Sequence, residues 1–120
     1  MDLTNGNALV VRVLGKSMEL SVYEDRVELF KAMWSTAYVA QYADIHRLQF
    51  RQPAYEKTGF IKIKGSGAPL DFVTYKSGRR DTTEQIESVQ NEMHKALGEI
   101  ESRVKAARGL PDNAWLTQYF

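Results

Sequence analysis

The feature of this chain that most constrains its fold is a change in hydrophobic periodicity about two-thirds of the way along it. Up to residue 76, apolar residues recur at every second position in short runs, which is typical of half-buried β-strands. From residue 82 onwards they recur at spacings of three and four, which is typical of one face of a helix. Because a parallel sheet requires strands and helices to alternate, this order predicts an α+β fold built on an antiparallel sheet.

About seven strands are predicted before the helix. The clearest pair covers residues 18–23 and 26–30, because Glu24 and Asp25 separate two alternating runs in the manner of a hairpin turn. Pro53 cannot donate a backbone hydrogen bond, so residues 52–58 are predicted to form a loop. The predicted strands cover residues 8–14, 18–23, 26–30, 36–42, 45–51, 59–64 and 70–76.

One long helix is predicted over residues 82–108, and it completes a domain of residues 1–109. Asp81, Thr82 and Thr83 can each serve as its N-cap, and Gly109 ends it. At about 1.5 Å per residue such a helix is roughly 38 Å long, which is more than a sheet of this size should cover. We therefore expect the part of the helix beyond Leu97 to lie outside the sheet.

Residues 110–120 form an aromatic tail with four large apolar side chains in its last six positions. Burial of each would stabilise the fold by about 1.5–3 kcal/mol, so we expect the tail to dock on the domain or on a partner chain. With the distal helix it forms a predicted protein-binding surface, for which self-association as a homo-oligomer is the preferred partner hypothesis. The residues predicted to bind protein are Ile100, Val104, Trp115, Leu116, Tyr119 and Phe120.

Positive charge is concentrated in residues 46–80, although the net charge of the chain is only +1. The commonest interpretation of such charges is a solvated outer face of the strands. The alternative is an anion-binding surface for phospholipid headgroups or nucleic acid, formed by Arg47, Arg51, Lys62 and Lys64. Bases could stack there only if Phe60 shares a face with the two lysines.

The sequence offers little for catalysis or metal binding. There is no cysteine, and His46 and His94 lack a second histidine or carboxylate at metal-binding spacing. The glycines at positions 65 and 67 precede a strand rather than a helix, so they indicate a hairpin turn and not a phosphate loop. No catalytic residue, metal or cofactor is predicted. The absence of cysteine and of an apolar leader or membrane-spanning stretch predicts a cytoplasmic protein.

The strand and helix pattern resembles that of bacterial pleckstrin-homology-like domains, in particular an uncharacterised bacterial group often linked to a short helical tail called SHOCT. The resemblance covers roughly residues 8–100 and is carried by the segments 18–30, 42–50, 59–63 and 75–97. It implies a curved antiparallel sheet or barrel of about seven strands, capped by one long C-terminal helix. It also implies a binding or oligomerising module without catalytic residues. The chain departs from the pattern in its longer helix and aromatic tail, and it lacks both a SHOCT sequence and the basic loop of lipid-binding relatives.

Overall fold

Two four-stranded sheets and one long helix make up the computed structural model, which describes residues 8–33, 37–67, 69–75, 78 and 80–120. The predicted α+β class is confirmed. Strands occur in all seven predicted segments, and an unpredicted eighth strand lies in the tail. Within the described residues the sheets remain separate and do not close into a barrel. Thr36 and Lys76, the predicted ends of two strands, lie outside the described residues, as does Arg79 of the basic segment.

The first sheet is an antiparallel meander in chain order. It consists of β1 (Leu9–Gly15), β2 (Met18–Tyr23), β3 (Arg26–Lys31) and β4 (Tyr38–Gln41). At the end of β1 the chain passes very close to the second sheet: a Cβ atom on Gly15 would lie 2.4 Å from the carbonyl oxygen of Val73. The N–H of Lys16 donates to that same oxygen at 2.8 Å. Glycine is therefore required where the two sheets meet.

A short 3-10 turn, Tyr42–Asp44, connects the two sheets. The ring of Tyr42 is buried. Its hydroxyl donates to the carbonyl oxygens of Tyr23, at 2.5 Å, and Arg26, at 2.9 Å. Because these carbonyls flank the β2–β3 turn, Tyr42 fixes the connection against the first sheet.

The second sheet has the strand order β7-β6-β5-β8. It consists of β5 (Ile45–Arg51), β6 (Phe60–Gly65), β7 (Leu70–Val73) and β8 (Thr117–Tyr119). The pairs β5–β6 and β6–β7 are antiparallel, whereas β8 runs parallel to β5. The direction of β8 follows from where the helix ends: Arg108 donates to the carbonyl oxygen of Ile45 at 3.2 Å, so the tail begins beside the start of β5.

The helix, α1, spans Thr83–Arg108. Thr82 is its N-cap: its hydroxyl accepts from the N–H of Gln85 at 3.1 Å, and the Gln85 side chain accepts from the N–H of Thr82 at 2.8 Å. This reciprocal pair is a capping box. Gly109 ends the helix in the left-handed conformation, with φ of 66°. The predicted limits of the helix are confirmed to within one residue.

The distal half of α1 is the buried half, so the prediction that it lies beyond the sheet is wrong. Ile100 and Val104 are 0% exposed, whereas Ile86 and Val89 near the N-terminus are only half-buried. The helix passes over β1 and β2 and then over the 3-10 turn, so its C-terminal half faces the junction of both sheets. The sequence predicted a single sheet beneath the helix, whereas the helix covers two. The buried helix residues are Met93, Ala96, Leu97, Ile100 and Val104.

Candidate binding surface on the second sheet

The strands of the second sheet have one face in the core and one face in solvent. In β6, Ile61 and Ile63 point inward, so Phe60, Lys62 and Lys64 share the outer face. In β5, Leu48 and Phe50 point inward, so Arg47, Gln49 and Arg51 lie on the outer face. The condition for stacking set by the sequence, that Phe60 share a face with both lysines, is met.

Strand register arranges these outer side chains in three rows across the sheet. Arg47 is opposite Lys64, Gln49 is opposite Lys62, and Arg51 is opposite Phe60. On the other side of β5, Gln118 of β8 is the register partner of Gln49. The four cations that were predicted from separate parts of the sequence therefore lie on two adjacent strands of a single face.

The aromatic tail joins this face at its β8 edge. The Arg47 guanidinium carbon lies 5.2 Å from the centroid of the Trp115 ring. The rings of Phe60 and Phe120 are 5.6 Å apart, between centroids. Trp115 is 74% exposed and Phe120 is 62% exposed. We call the surface formed by Arg47, Gln49, Arg51, Phe60, Lys62, Lys64, Trp115, Gln118 and Phe120 the basic-aromatic face.

The outer face of the first sheet has a different charge arrangement. There, Arg12 pairs with Glu19 at 3.1 Å, and Arg26 pairs with Glu28 at 2.6 Å. The hydrogen bond with Glu28 raises the pKa of Arg26 above its usual value. These cations are neutralised within their own sheet.

Among the described residues, no carboxylate forms an ion pair with a cation of the basic-aromatic face. Asp71 is the register partner of Lys62 but does not pair with it. Lys62 instead lies over the ring of Phe60, with its Nζ 4.9 Å from the ring centroid. The positive charge of the face is therefore left to solvent or to a ligand.

Arg51 differs from the other three cations because its donors are engaged locally. Its Nε donates to the carbonyl oxygen of Thr58 and its Nη2 to the Thr58 hydroxyl, both at 2.8 Å. Its guanidinium carbon lies 5.0 Å from the centroid of the Phe60 ring. Arg51 thus holds the 52–58 loop and supports Phe60, while Arg47, Lys62 and Lys64 keep their charged groups available.

The six residues predicted to bind protein do not form one surface. Ile100, Val104 and Leu116 are buried in the core of this chain, so their assignment to an exposed surface is wrong. Their burial is favoured because the sheets of the same chain cover these side chains. In addition, the backbone N–H of Leu48 donates to the carbonyl oxygen of Leu116 at 3.0 Å. Trp115, Tyr119 and Phe120 remain exposed.

Tyr119 points away from the basic-aromatic face. Its ring meets that of the inward residue Phe50 edge-on, with centroids 5.8 Å apart. Partial burial raises the pKa of Tyr119, with a smaller contribution from Glu101. The tail therefore alternates as a strand does, with Gln118 and Phe120 outward and Thr117 and Tyr119 inward.

The surroundings of the two histidines do not indicate a metal site. His94 Nε2 lies 2.7 Å from Oε1 of Gln52, and the ring lies 4.9 Å from that of Phe50. His46 is exposed on β5. In the part of the chain that the structure describes, no group of three or more His, Cys, Asp or Glu residues is arranged to hold a metal ion.

A second exposed region lies at the end of β1, close to where the two sheets meet. Leu14, Phe30 and Tyr75 are exposed there and line a shallow groove with Met18 and Ser17. Glu19 also lines this groove. It is mainly apolar and separate from the basic-aromatic face.

Strand parity would have identified Phe60 and Gln49 as members of the basic-aromatic face, because positions 60, 62 and 64 and positions 47, 49 and 51 alternate with buried residues. No comparable signal brings Trp115, Gln118 and Phe120 to this face. Their position depends on the pairing of β8 with β5, which joins residues about seventy positions apart in the chain.

No family model matches this sequence, and no curated protein matches it either. Among the described residues, no helix has the length and apolar character needed to cross a membrane. What the basic-aromatic face binds is therefore inferred from its own chemistry.

Proposed function

We propose that this protein is a non-catalytic binding module and that its basic-aromatic face binds an anionic ligand. The observation that carries the proposal is the grouping of Arg47, Lys62 and Lys64 on one sheet face without carboxylate partners among the described residues. Like charges held together repel one another and attract anions to the surface. An anionic ligand would reduce that repulsion. The cations of the first sheet are already neutralised by Glu19 and Glu28.

The chemistry of the face favours binding over catalysis. Its side chains are cations, amides and aromatic rings, and it contains no nucleophile beside a general base. Cations and amides can hold a ligand by charge and hydrogen bonding without changing it covalently. We therefore propose no enzymatic activity for this surface.

The same proposal includes a pleckstrin-homology-like architecture. Its support is the arrangement of two antiparallel meanders, β1 to β4 and β5 to β7, followed by one helix that covers the core. The parallel strand β8 is an addition to that plan. An experimental structure in which the two sheets cross at nearly a right angle would support this architecture, and sheets packed in nearly aligned directions would contradict it.

Charge reversal on the face tests the binding proposal. The variant Lys62→Glu with Lys64→Glu should bind inorganic polyphosphate at least about tenfold more weakly than the natural chain, because two attractive charges become repulsive. Binding should also weaken as salt is added. Titration calorimetry at low and moderate salt measures both effects.

A matched control has the same change in net charge at another location. Lys16→Glu with Lys95→Glu alters two exposed lysines on the β1–β2 turn and on the helix. This control should bind polyphosphate nearly as well as the natural chain. If the two double variants lost the same amount of polyphosphate affinity, only net charge would matter, which would contradict a defined binding face.

A second candidate function is protein binding through self-association, which the sequence predicted for a different surface, the distal helix and tail. The observation that favours it is an exposed apolar region that the sequence did not assign to protein binding, formed by Leu14, Phe30 and Tyr75 around the groove. Exposed apolar patches often mark protein interfaces, and a second copy of this chain is the proposed occupant.

Light scattering after size-exclusion chromatography tests self-association. Leu14→Ser with Phe30→Ser should convert an oligomer into a monomer, whereas Trp115→Ser with Phe120→Ser should leave the oligomer intact. Point variants are preferable to removal of the tail, because deletion of β8 would expose the hydrogen-bonding edge of β5 and promote new contacts. A natural chain that is monomeric at high concentration would contradict this candidate.

A further inference from the structure

We infer that the anionic ligand of the basic-aromatic face is single-stranded nucleic acid, bound with its bases stacked on the tail aromatics and its phosphates on the cations. This inference depends on the proposed anion-binding function and specifies its ligand. It follows from the layout of the face, the accessibility of its rings, and the amide groups between them.

The layout places the tail rings directly beside the cations. Trp115 and Phe120 lie along the β8 edge, with Gln118 between them. Arg47, Lys62 and Lys64 lie on the neighbouring strands β5 and β6. Adjacent strands are about 4.8 Å apart, so the tail rings and the cations lie within one or two strands of each other. Rings for bases next to cations for phosphates are what single-strand-binding proteins present.

The rings are accessible for stacking and are held in position. Trp115 packs against Arg47, and Phe120 packs against Phe60, yet each remains more than half exposed. The backbone N–H of Phe120 donates to the carbonyl of Phe50 at 2.9 Å, which fixes the chain beneath the ring. A ring held in this way loses little freedom when a base stacks on it.

An amide pair occupies the space between the two rings. Gln49 Nε2 donates to Gln118 Oε1 at 3.3 Å. Amides can both donate to and accept from base edges, which suits any sequence of bases. If Trp115 and Phe120 inserted into a lipid bilayer, the amide groups between them would also leave water. Removing amides from water is unfavourable. The amide pair therefore favours nucleic acid over a membrane surface.

Single strands are favoured over duplexes because the faces of duplex bases are already stacked on one another. Rings at the β8 edge can add to binding only if bases are free to leave their neighbours. An acidic protein segment would use the cations but would gain nothing from exposed rings placed beside them. Both ligands are therefore included as alternatives in the test.

The test compares ligands and variants by fluorescence anisotropy. The ligands are labelled twelve-nucleotide oligothymidylate, labelled oligouridylate, the corresponding duplex, polyphosphate, a polyglutamate peptide and phosphatidylserine vesicles. The full chain should bind the single strands more tightly than the duplex, polyphosphate or polyglutamate. Trp115→Ala with Phe120→Ala should weaken single-strand binding by about tenfold and change polyphosphate binding by less than twofold. Tyr23→Ala, which removes an aromatic side chain from the first sheet and from no proposed binding surface, is the control and should change neither.

Two further measurements separate stacking from charge. In a Trp34→Phe background, Trp115 is the only tryptophan, and its fluorescence should be quenched by oligothymidylate but not by polyphosphate. The slope of log affinity against log salt should decrease in magnitude by about 1.4 in Lys62→Glu with Lys64→Glu, at about 0.7 per phosphate contact in a single strand. Circular dichroism verifies that each variant is folded.

The outcomes distinguish this inference from the proposed function. If polyphosphate or polyglutamate binds as tightly as the single strands and the ring variants have no effect, the face binds anions without stacking, and the nucleic-acid inference is overturned alone. Tighter binding to vesicles than to oligonucleotides overturns it in favour of a membrane. If charge reversal at Lys62 and Lys64 affects no ligand, both the inference and the proposed function are overturned.

Discussion

At the level of single residues, Tyr42 has a central role in joining the two sheets. Its ring is buried beside the distal helix, and its hydroxyl donates to carbonyl oxygens on either side of the β2–β3 turn. Burial raises the pKa of Tyr42 well above the usual tyrosine value; nearby charges contribute, with Arg103 lowering it and Asp25 raising it. The folded protein therefore retains the proton of Tyr42 at a pH where the unfolded chain loses it.

This difference predicts a loss of stability in alkali. Since the folded pKa lies above the unfolded one, the stabilisation is complete below about pH 10 and is lost as the pH rises beyond it. Urea unfolding at pH 8 should show Tyr42→Phe to be about 1 kcal/mol less stable than the natural chain. Above about pH 10 this difference in stability should become smaller, because the natural chain loses the stabilisation that depends on the Tyr42 proton and the variant has none to lose. A gap that stays constant to higher pH would contradict a raised pKa at Tyr42.

At the level of elements, the helix is anchored by its C-terminal half. Ile100 and Val104 lie at the junction of the two sheets, while Ile86 near the N-terminus is only half-buried. The periodicity of the helix identified its apolar side correctly, since all of these residues belong to that side. It did not identify which end is covered, because coverage depends on where the sheets lie beneath the helix.

A pair of identical substitutions tests this orientation. Ile100→Ala should lower the free energy of unfolding by about 2–5 kcal/mol, because it leaves a cavity in the core. Ile86→Ala makes the same chemical change on the same helix and should cost less than half as much, because its side chain is only half-buried. Urea unfolding measures both. A larger loss at Ile86 than at Ile100 would contradict the helix position.

The tail is the second element whose role comes from packing. Leu116 is buried with the core residues, and the Thr117 hydroxyl bonds to Glu101 of the helix. Lys105 also donates to the carbonyl oxygen of Asp112 at 2.7 Å. These contacts tie the tail to both the helix and β5 of its own domain.

At the level of the whole molecule, one hydrophobic core unites the two sheets, the helix and the tail. The core includes Val13 and Leu29 from the first sheet, Phe50 and Ile61 from the second, and Leu116 from the tail. Because none of these parts can bury its apolar side alone, we expect them to fold together.

Two probes of unfolding test this cooperativity. Far-UV circular dichroism follows the helix, and tryptophan fluorescence of the Trp34→Phe variant follows Trp115 in the tail. The two urea transitions should have the same midpoint and slope. A fluorescence transition at lower urea would show that the tail detaches before the domain unfolds, and it would contradict a single cooperative unit.

The sequence by itself determined the local features of this protein. Alternation identified the strand segments before the helix, the three-and-four spacing identified the helix within one residue of its limits, and parity placed Lys62 and Lys64 on the same side of one strand. These features are accessible because strand and helix periodicity arise from neighbouring residues in the chain.

Only the tertiary structure decided which distant parts meet. It placed β8 parallel to β5, brought Trp115 over Arg47, and buried Ile100 and Val104 at the junction of the two sheets. Apolar burial has no direction of its own, so a sequence shows that these side chains should be covered but not by what. The row of cations on the basic-aromatic face therefore follows from local strand periodicity. The rings beside it are placed there by the tertiary pairing of the tail with β5.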